Sequence, residues 1–332
     1  MNSFGTVFRI SIFGESHGNG IGIVIDGTPP GIPFAAGDME ADLARRMPGG
    51  HGTTARREPD VPEILSGVYR GFTTGAPVAI LFRNSDTRSA DYDRFRDTPR
   101  PGHADFTATA KYGGFNDPRG SGHFSGRITL ALVAAGALAK KTVPGMDIRS
   151  QVLEIGGLRD YDAKLKEAIE RGDSLGGLIE VRINSLPAGL GEPFFNSLES
   201  VISHLVFSVP AVRGIEFGTG FAAAAMQGSE HNDAIVSADG TTATNNSGGI
   251  NGGITNGNTV LFRVAVKPTP SIRVAQQTIN LSTGQTEKLE VTGRHDACIA
   301  LRAPVVFEAC AAIAAADMYL VNRAIYQQEA GQ

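Results

Sequence analysis

The sequence predicts a fold of mixed α-helices and β-strands that carries its function on glycine-rich loops. Apolar runs rich in β-forming residues alternate with helical patterns, but without the steady strand–helix–strand rhythm of a parallel sheet. Glycine makes up 42 of the 332 residues, about 13% against a usual ~7%, which indicates many tight turns. Residues 84–124 and 227–257 contain few strong elements, and loops of that length are usually either functional or disordered.

Five apolar runs predict the strands. The first alternates apolar and polar residues, as a half-buried strand does, and the second follows it directly across the sequence GESHGNG. The predicted strands are Thr6–Phe13, Ile21–Ile25, Val78–Phe82, Leu178–Ile183 and Val260–Val266.

Four segments have helical periodicity. The second of them has Ser125 at the N-cap position and ends before Pro144 and Gly145. Residues 130–139 and 305–316 are apolar or small on nearly every side, which favours two buried helices. The predicted helices are Asp38–Arg46, Ser125–Val143, Asp162–Arg171 and Pro304–Ala324.

Length and composition are those of a globular protein. A chain of 332 residues suggests two domains or one large one, and no low-complexity linker or repeat divides it. With 41% hydrophobic and 19% charged residues, the chain is neither disordered, collagen-like nor a coiled coil. No apolar run approaches 18 residues, and the first residues do not resemble a secretory signal. Cys298 and Cys310 are too few for a disulfide framework or a zinc site, which favours a reducing, cytoplasmic compartment.

The charge distribution favours a small polyanionic ligand over nucleic acid. A net charge of −4 lacks the basic excess of a nucleic-acid-binding surface. Nevertheless, 12 of the 23 arginines lie in residues 45–127, which together carry a net charge of +4. Because a guanidinium group matches carboxylate and phosphate, this segment is a candidate anion site. A solvated face with scattered ion pairs is the alternative.

Four of the seven histidines adjoin glycine: His17, His51, His103 and His123. A histidine in a turn is a candidate acid or base because its unperturbed pKa lies near neutrality. A turn histidine without a chemical role is the alternative for each. Neither an HExxH motif nor a cysteine-rich pair is present, so we do not expect a metal site.

Two further segments are candidate ligand sites. Residues 100–127 combine basic side chains with the start of the helix capped by Ser125, and a helix N-terminus beside arginine can bind an anion. A purely structural cap after a basic loop is the alternative. The sequence NNSGGINGGITNGN at 245–258 could cradle a phosphate or lie against a flat ring, although a loop tip is the simpler explanation.

A dinucleotide-binding pattern is also present in an unsuitable context. Gly218, Gly220 and Ala223 match GxGxxA, with Asp239 about 20 residues further on. Only residues 215–217 precede the pattern as a possible strand, and Gly228 shortens the helix that would follow. An NAD-linked dehydrogenase is therefore a minor alternative, and the absence of a P-loop disfavours nucleotide phosphoryl transfer.

Several motifs, in one order, resemble those of the chorismate synthase family. They are FGESHG followed by IGIVIDGTPPGIP, RREPD with ILSGV, RPGHAD with KYG, KPTPSI and GRHDAC, and the similarity runs from about Phe8 to the final helix. The resemblance implies a lyase of the shikimate pathway, which supplies aromatic amino-acid biosynthesis. The implied reaction converts 5-enolpyruvylshikimate 3-phosphate to chorismate by trans-1,4-elimination of phosphate and a ring proton, and it requires reduced FMN without net redox change.

The resemblance also implies an architecture and partners. The implied fold is α+β, a β-α-β sandwich with central helices between two antiparallel sheets, internally pseudo-duplicated and formed by one domain over residues 1–332. The implied protein is a cytoplasmic homotetramer with a flavin reductant as partner, and with neither a nucleic-acid nor a membrane partner.

Roles follow for the residues at matching positions. His17 would protonate the departing phosphate, His103 would govern the protonation of the reduced flavin, and Asp296 would help flavin N5 accept the ring proton. The implied substrate-binding residues are Ser16, Arg46 and Arg127. The implied flavin-binding residues are Ser125, Pro210, Ala211, Gly252, Lys267, Pro268, Thr269, Pro270, Ser271 and Arg294.

The chain departs from the family pattern in several places, and two of them concern ligand binding. Where many members read GGGRSSAR, this chain reads GSGHFSGR, so His123 and Phe124 stand in for Arg-Ser. An arginine that some relatives carry near RREPD is missing, so the sequence does not support reduction of the flavin by NADPH. A non-catalytic phosphoester- or flavin-binding protein is the second hypothesis, and the presence of His17, His103 and Asp296 argues against it.

Overall fold

Two antiparallel sheets and the helices packed on them make up the fold. The computed structural model describes residues 2–50, 52–53, 58–85, 92–291, 293 and 295–325. The strands are β1 (Ser3–Phe4), β2 (Arg9–Gly14), β3 (Gly20–Asp26), β4 (Pro62–Ser66), β5 (Val68–Tyr69), β6 (Phe72–Thr73), β7 (Val78–Arg83), β8 (Asp147–Ile155), β9 (Gly177–Asn184), β10 (Val212–Phe217), β11 (Ile250–Asn251), β12 (Ile254–Thr255), β13 (Val260–Val266), β14 (Gln276–Ile279) and β15 (Thr286–Leu289). The helices are α1 (Gly37–Arg46), α2 (Arg94–Asp97), α3 (Asp105–Tyr112), α4 (Thr129–Thr142), α5 (Asp162–Arg171), α6 (Leu198–Ser208), α7 (Gly228–His231) and α8 (Pro304–Ile325).

The first sheet has the strand order β1-β2-β3-β7-β4 and is antiparallel throughout. Its register places Ile23 opposite Ile80. Because side chains alternate between the faces of a strand, β3 and β7 bury one continuous apolar face. That face consists of Ile21, Ile23, Ile25, Val78, Ile80 and Phe82, all completely buried.

The second sheet has the order β10-β13-β9-β8 and is also antiparallel. Its central pair places Phe262 opposite Val181 and Val264 opposite Ile179, and all four side chains are completely buried. The two sheets therefore present apolar faces that helices can cover.

Two helices of small and apolar residues fill the space between the sheets. α4 contacts β3 of the first sheet, α8 contacts β8 and β9 of the second, and α4 and α8 pack against each other. An ideal Cβ placed on Gly136 of α4 would lie 2.5 Å from Cβ of Ala309 in α8, so this glycine allows the two helices to approach closely. The observed layers confirm the predicted α+β class and the two buried helices.

Two buried carboxylates of α8 tie this helix to the rest of the fold. Asp317 accepts hydrogen bonds from the backbone N–H groups of Thr6 (2.8 Å), Val7 (2.7 Å) and Phe8 (2.9 Å), just before β2. Glu308 accepts from both terminal nitrogens of Arg45, at 2.6 and 2.7 Å. These contacts join α8 to the first sheet and to α1.

Among the described residues, α8 is the one helix long and apolar enough to cross a membrane, judged by length and composition alone. Within the fold, 83% of its most apolar 18-residue window is buried in protein. This burial is that of a core helix.

The five predicted strands and four predicted helices are confirmed, with boundaries shifted by a few residues. Helix α8 continues one residue beyond the predicted Ala324, and the predicted helix at Ser125 begins as a 3₁₀ turn at Gly126–Ile128 before α4. The dehydrogenase alternative is wrong: residues Gly220–Ala225 form a 3₁₀ turn, and the preceding strand β10 lies in an antiparallel sheet.

Candidate functional site

A cavity of about 940 Å³ brings together most of the residues that the sequence singled out. Its wall is formed by the turn after β2, the end of α1, the start of α4, the end of α6 and the segment before α8. The candidate residues that line it are Ser16, His17, Arg46, His103, Ser125, Arg127, Pro210, Ala211, Lys267, Thr269, Pro270, Ser271 and Asp296.

Ser16 and His17 lie on the tight turn between β2 and β3, and both are buried. The His17 ring meets Tyr92 edge-on, with ring centroids 5.3 Å apart. Gly120 lies against the same ring, and an ideal Cβ on it would be 2.6 Å from Nε2 of His17 and 2.9 Å from Oγ of Ser16. Only glycine leaves room there, so the imidazole is held by close packing, as a positioned acid requires.

Arg46 and Arg127 share one buried carboxylate. Nη2 of Arg46 donates to Oδ2 of Asp60 at 2.6 Å, and Nη1 of Arg127 donates to Oδ1 at 2.7 Å. Burial is the main cause that lowers the pKa of Arg46 to about 10, and the positive charges of Arg302 and Arg127 lower it as well. The negative charge of Asp60 raises the pKa and offsets part of this effect. Arg46 therefore stays protonated at neutral pH. Asp60 fixes both guanidinium groups in the cavity wall before any ligand arrives.

Asp296 lies in the same region of the wall and is paired with Arg302, whose Nη2 donates to Oδ2 at 2.6 Å. Both residues line the cavity, and the Asp296 side chain is only 9% exposed. The pair places a third guanidinium group, and a fixed carboxylate, beside Arg46 and Arg127.

His103 is held at both of its ring nitrogens. Oδ1 of Asp105 lies 2.6 Å from Nδ1, and Oγ of Ser121 lies 3.0 Å from Nε2. Burial lowers the pKa of His103, and the charge of Arg100 lowers it further. The hydrogen bond to Asp105 raises the pKa, but these two effects outweigh it. At neutral pH the ring is therefore neutral, with Nδ1–H donating to Asp105 and Nε2 accepting from Ser121.

Asp105 is in turn fixed by Arg100. Nε of Arg100 donates to Oδ2 at 2.8 Å and Nη2 donates to Oδ1 at 2.7 Å, a bidentate pair. Burial raises the pKa of Asp105, but the hydrogen bonds from Arg100 and His103 outweigh it and hold the pKa well below its usual range. Nη1 of Arg100 also donates to Oγ of Ser271 at 3.0 Å, which links this network to residues 267–271.

The start of α4 faces the cavity as predicted. The Ser125 side chain accepts from the N–H of Arg127 at 3.3 Å, so Ser125 is the N-cap of the 3₁₀ turn Gly126–Ile128 that leads into α4. His123 lies next to it, with Nδ1 2.8 Å from the carbonyl oxygen of Gly14 and Nε2 3.2 Å from Oδ1 of Asn2. The imidazole that stands in for arginine is thus tied to the end of β2.

The opposite wall comes from the second sheet. Nζ of Lys267 donates to the carbonyl oxygen of Gly102 at 2.6 Å, so the end of β13 is joined to the loop that carries His103. Ala211 has a left-handed backbone (φ 74°), and its carbonyl oxygen accepts from the N–H of Lys267 at 2.9 Å. This contact keeps residues 210–211 and 267–271 side by side.

Three of the candidate residues are absent from the described lining of the cavity. Gly252 lies in the β11–β12 hairpin, where its φ of 61° accounts for the glycine. Pro268 is not among the described residues that line the cavity, and its Cδ lies 3.2 Å from an ideal Cβ on Gly176. Arg294 lies outside the described residues.

Sequence reasoning named no role for several residues that hold the site together. Asp60 and Arg302 were unassigned, and Arg100 and Asp105 were noted only as part of a basic segment. Asp60 belongs to RREPD, and Arg100 and Asp105 belong to RPGHAD, so the motifs contained them. These partners could have been predicted because a buried arginine needs a carboxylate partner.

The cavity suits a polyanion. Nε and Nη1 of Arg46, Nη2 of Arg127 and Nε of Arg302 are buried polar atoms for which the described part of the chain offers no hydrogen-bond partner. Buried N–H groups of this kind are costly unless a ligand satisfies them. Carboxylate and phosphate oxygens are the acceptors that guanidinium groups bind best.

The cavity also suits a flavin nucleotide in addition to a smaller anion. Its volume of about 940 Å³ is near the upper end of the usual ligand-pocket range of roughly 300–1,000 Å³. The lining includes the apolar residues Pro210, Ala211 and Ile299 beside Lys267. Oγ1 of Thr269 is buried without a hydrogen-bond partner among the described residues. An apolar surface with a few polar groups is what a flat ring bearing a phosphate tail requires.

Comparisons with known proteins find relatives along nearly the whole chain. A family model described as chorismate synthase matches residues 8–320. The chain is 58% identical to the chorismate synthase of Chitinophaga pinensis over 324 residues, 97% of this chain and 98% of the relative. It is 44% identical to the chorismate synthase of Methanosarcina mazei over 351 residues, 96% of each protein. A crystal structure of a chorismate synthase superimposes with a TM-score of 0.74 at 30% identity, over 96% of this chain and 93% of the other.

Proposed function

The chain belongs to the chorismate synthase family and catalyses its carbon–oxygen lyase reaction, and we propose that it does so in the cavity described above with reduced FMN. The substrate, 5-enolpyruvylshikimate 3-phosphate, carries two carboxylates and a phosphate. The observation that best supports this location is the row of buried guanidinium N–H groups from Arg46, Arg127 and Arg302. An anion of the substrate's charge satisfies them.

In the proposed reaction, Arg46 and Arg127 bind the substrate's anionic groups and fix its position. Asp60 holds both guanidinium groups in place, so these side chains lose little conformational entropy when the substrate binds. His17 gives a proton to a phosphate oxygen as the C–O bond breaks, because a phosphate leaves more readily when its negative charge is neutralised.

Residues 210–211, 267 and 269–271, which line one part of the cavity, would hold reduced FMN, and Lys267 would hold its anionic tail. When bound, FMN supplies an electron-rich ring beside the substrate. His103 is neutral, is fixed by Asp105 and holds its proton at Nδ1. Its unprotonated Nε2, which accepts from Ser121, is the atom through which it would govern the protonation of the reduced flavin. Asp296, oriented by Arg302, is the carboxylate that assists removal of the ring proton.

We also propose that the chain is internally duplicated, as a single domain over residues 1–332. In both sheets four strands lie side by side in the same topological order: the first, second, fourth and third along the chain. These are β2-β3-β7-β4 in the first sheet and β8-β9-β13-β10 in the second. In each half a helix joins the second and third strands, α1 in one and α6 in the other. Each half also ends on a long buried helix, α4 or α8. This correspondence supports the duplication.

The proposed assembly is a cytoplasmic homotetramer that takes electrons for FMN from a separate reductant. Several phenylalanines are unusually exposed for a protein that acts alone, which supports burial against other copies of the chain. They are Phe115, Phe194, Phe195 and Phe221, at 95%, 87%, 93% and 83% exposure. Sedimentation velocity measures the assembly directly.

An anaerobic assay tests the proposed function. The protein is mixed with 5-enolpyruvylshikimate 3-phosphate and chemically reduced FMN, and chorismate and inorganic phosphate are both followed. We expect the two products in equal amounts, and none with oxidised FMN. Tight binding of both ligands without release of phosphate would instead identify a non-catalytic binding protein.

A further inference from the structure

Asn84 lies between the His17 turn and Arg127. It directly follows β7, which pairs with β3 in the first sheet, so the sheet brings Asn84 next to the turn between β2 and β3. The backbone N–H of Asn84 donates to the carbonyl oxygen of Asn19 at 3.4 Å and continues this pairing.

The side-chain amide of Asn84 makes three hydrogen bonds. Nδ2 donates to the carbonyl oxygens of Glu15 (3.0 Å) and Gly18 (2.8 Å), the two ends of the turn that carries Ser16 and His17. Oδ1 accepts from Nε of Arg127 at 3.0 Å. The partners determine the orientation of the amide, because carbonyl groups only accept hydrogen bonds and a guanidinium group only donates them.

The two groups joined by Asn84 each have a further anchor. Arg127 is held by Asp60 through Nη1, independently of Asn84. The turn is closed by the N–H of Gly18 donating to Glu15. Asn84 therefore adds little to the shape of either group and instead fixes the position of one relative to the other.

We propose that Asn84 is a positioning residue that sets His17 at a fixed distance from Arg127, so that the acid and the guanidinium group meet the same substrate. The proposal rests on the function proposed above for His17 and Arg127. Its physical basis is orientation, since a misplacement of about 1 Å can cost about 100-fold in rate.

Asn84→Ala tests the proposal, with Asn322→Ala as the matched control. Asn322 also donates its side-chain amide to a loop carbonyl, that of Gly189 at 2.9 Å, and is not among the described residues that line the cavity. We expect Asn84→Ala to lower kcat by about 10- to 100-fold, while KM for the substrate changes by less than about 3-fold because Asp60 still holds Arg127. We expect Asn322→Ala to leave both constants unchanged.

A double-mutant cycle separates positioning from a general loss of structure. In a His17→Ala background, adding Asn84→Ala should lower kcat by no more than about 2-fold, because the group that Asn84 positions is gone. An equal loss in both backgrounds would overturn the proposal. If Asn84→Ala does not fold, Asn84→Asp replaces it, because its carboxylate still accepts from Arg127 but cannot donate to the turn.

NMR of the histidine ring signals provides a readout without substrate or flavin. The His17 signals should shift or broaden in Asn84→Ala and stay unchanged in Asn322→Ala. If His17→Ala alone retains full kcat, the proposed acid role is wrong, and the NMR result then decides the Asn84 proposal by itself. Unchanged His17 signals in Asn84→Ala would overturn it.

Discussion

Arg46 and Asp60 form an ion pair at 2.6 Å in which the side chains are only 3% and 1% exposed. The same carboxylate pairs with Arg127, so one acid orients two arginines in the cavity wall. Burying these charges costs desolvation energy that the pairing only partly recovers. The arrangement is therefore better explained by preparation for an anionic ligand than by stability.

Asp60→Asn should weaken substrate binding by about 10- to 100-fold and lower the free energy of unfolding by roughly 3–5 kcal/mol. The reason is that buried Arg46 loses its carboxylate partner, while among the described carboxylates Arg127 keeps only Glu58, whose Oε2 lies 3.8 Å from Nη2. Urea unfolding and KM measure the two effects. Asp147→Asn is the control, since it removes an exposed ion pair with Arg149 and should change stability by less than about 1 kcal/mol. Wild-type KM in a folded Asp60→Asn would show that Asp60 does not orient the arginines for substrate.

His17→Ala should lower turnover by roughly 10²- to 10⁴-fold, the contribution expected of a general acid. The affinity for FMN should remain close to that of the wild type, because the cavity residues proposed to bind the flavin are 125, 210–211, 267 and 269–271. Steady-state kinetics and flavin fluorescence titration measure these quantities. Normal turnover by the folded variant would remove His17 from the mechanism.

The His103 network predicts a pH dependence of stability. Burial and the charge of Arg100 put the pKa of His103 below its usual value, so the unfolded chain takes up a proton that the native protein does not. The contribution of His103 is complete above about pH 6.5, the unfolded value, and is lost as the pH falls towards the folded pKa. In urea unfolding between pH 8 and 5, His103→Gln should lose less stability than the wild type. Parallel curves would show that His103 titrates normally in the native protein.

Asp105 acts in a lower pH window. Although burial raises its pKa, hydrogen bonds from Arg100 and His103 keep the pKa well below its usual value. It therefore stabilises the protein above about pH 3.9, and this contribution disappears on further acidification. Asp105→Asn should be less stable than the wild type at pH 7, and the difference should shrink towards pH 3. A difference that stays constant with pH would mean that the carboxylate charge is not involved.

The sequence predicted helices and strands correctly where buried positions recur with a clear period along the chain. β13 alternates buried and part-buried side chains along its whole length, and a serine caps the 3₁₀ turn that leads into α4, so both were found. β8 was missed because its sequence, DIRSQVLEI, mixes charged residues into a strand at the sheet edge. α6 was also missed, and of β10 only residues 215–217 were noted as a possible strand.

The candidate site was predicted from motifs, but its connections were not. The sequence contained His17, His103 and Arg127, yet nothing local shows that Asp60 reaches Arg127, 67 residues away, or that Asn84 joins Arg127 to the His17 turn. Such partners are set by the sheet and helix packing. Gly252 shows a different difficulty, because a glycine required by a hairpin turn looks the same in sequence as one beside a ligand, so its role in flavin binding stays a prediction.

Asp317→Asn should destabilise the protein by roughly 3 kcal/mol, because an amide nitrogen would face backbone N–H groups that now share a carboxylate. Urea unfolding measures the change. Activity at 25 °C should remain near the wild-type value in the folded protein, because Asp317 is not among the described residues that line the cavity. A change below about 0.5 kcal/mol would mean that the three hydrogen bonds contribute little to stability.

The most direct test of the central claim is a crystal structure of the protein with FMN and 5-enolpyruvylshikimate 3-phosphate. We expect the flavin against residues 210–211, 267 and 269–271, and the substrate's anionic groups within hydrogen-bond distance of Arg46 and Arg127, with the phosphate beside His17. Substrate density outside this cavity, or a phosphate out of reach of His17, would contradict the proposed site.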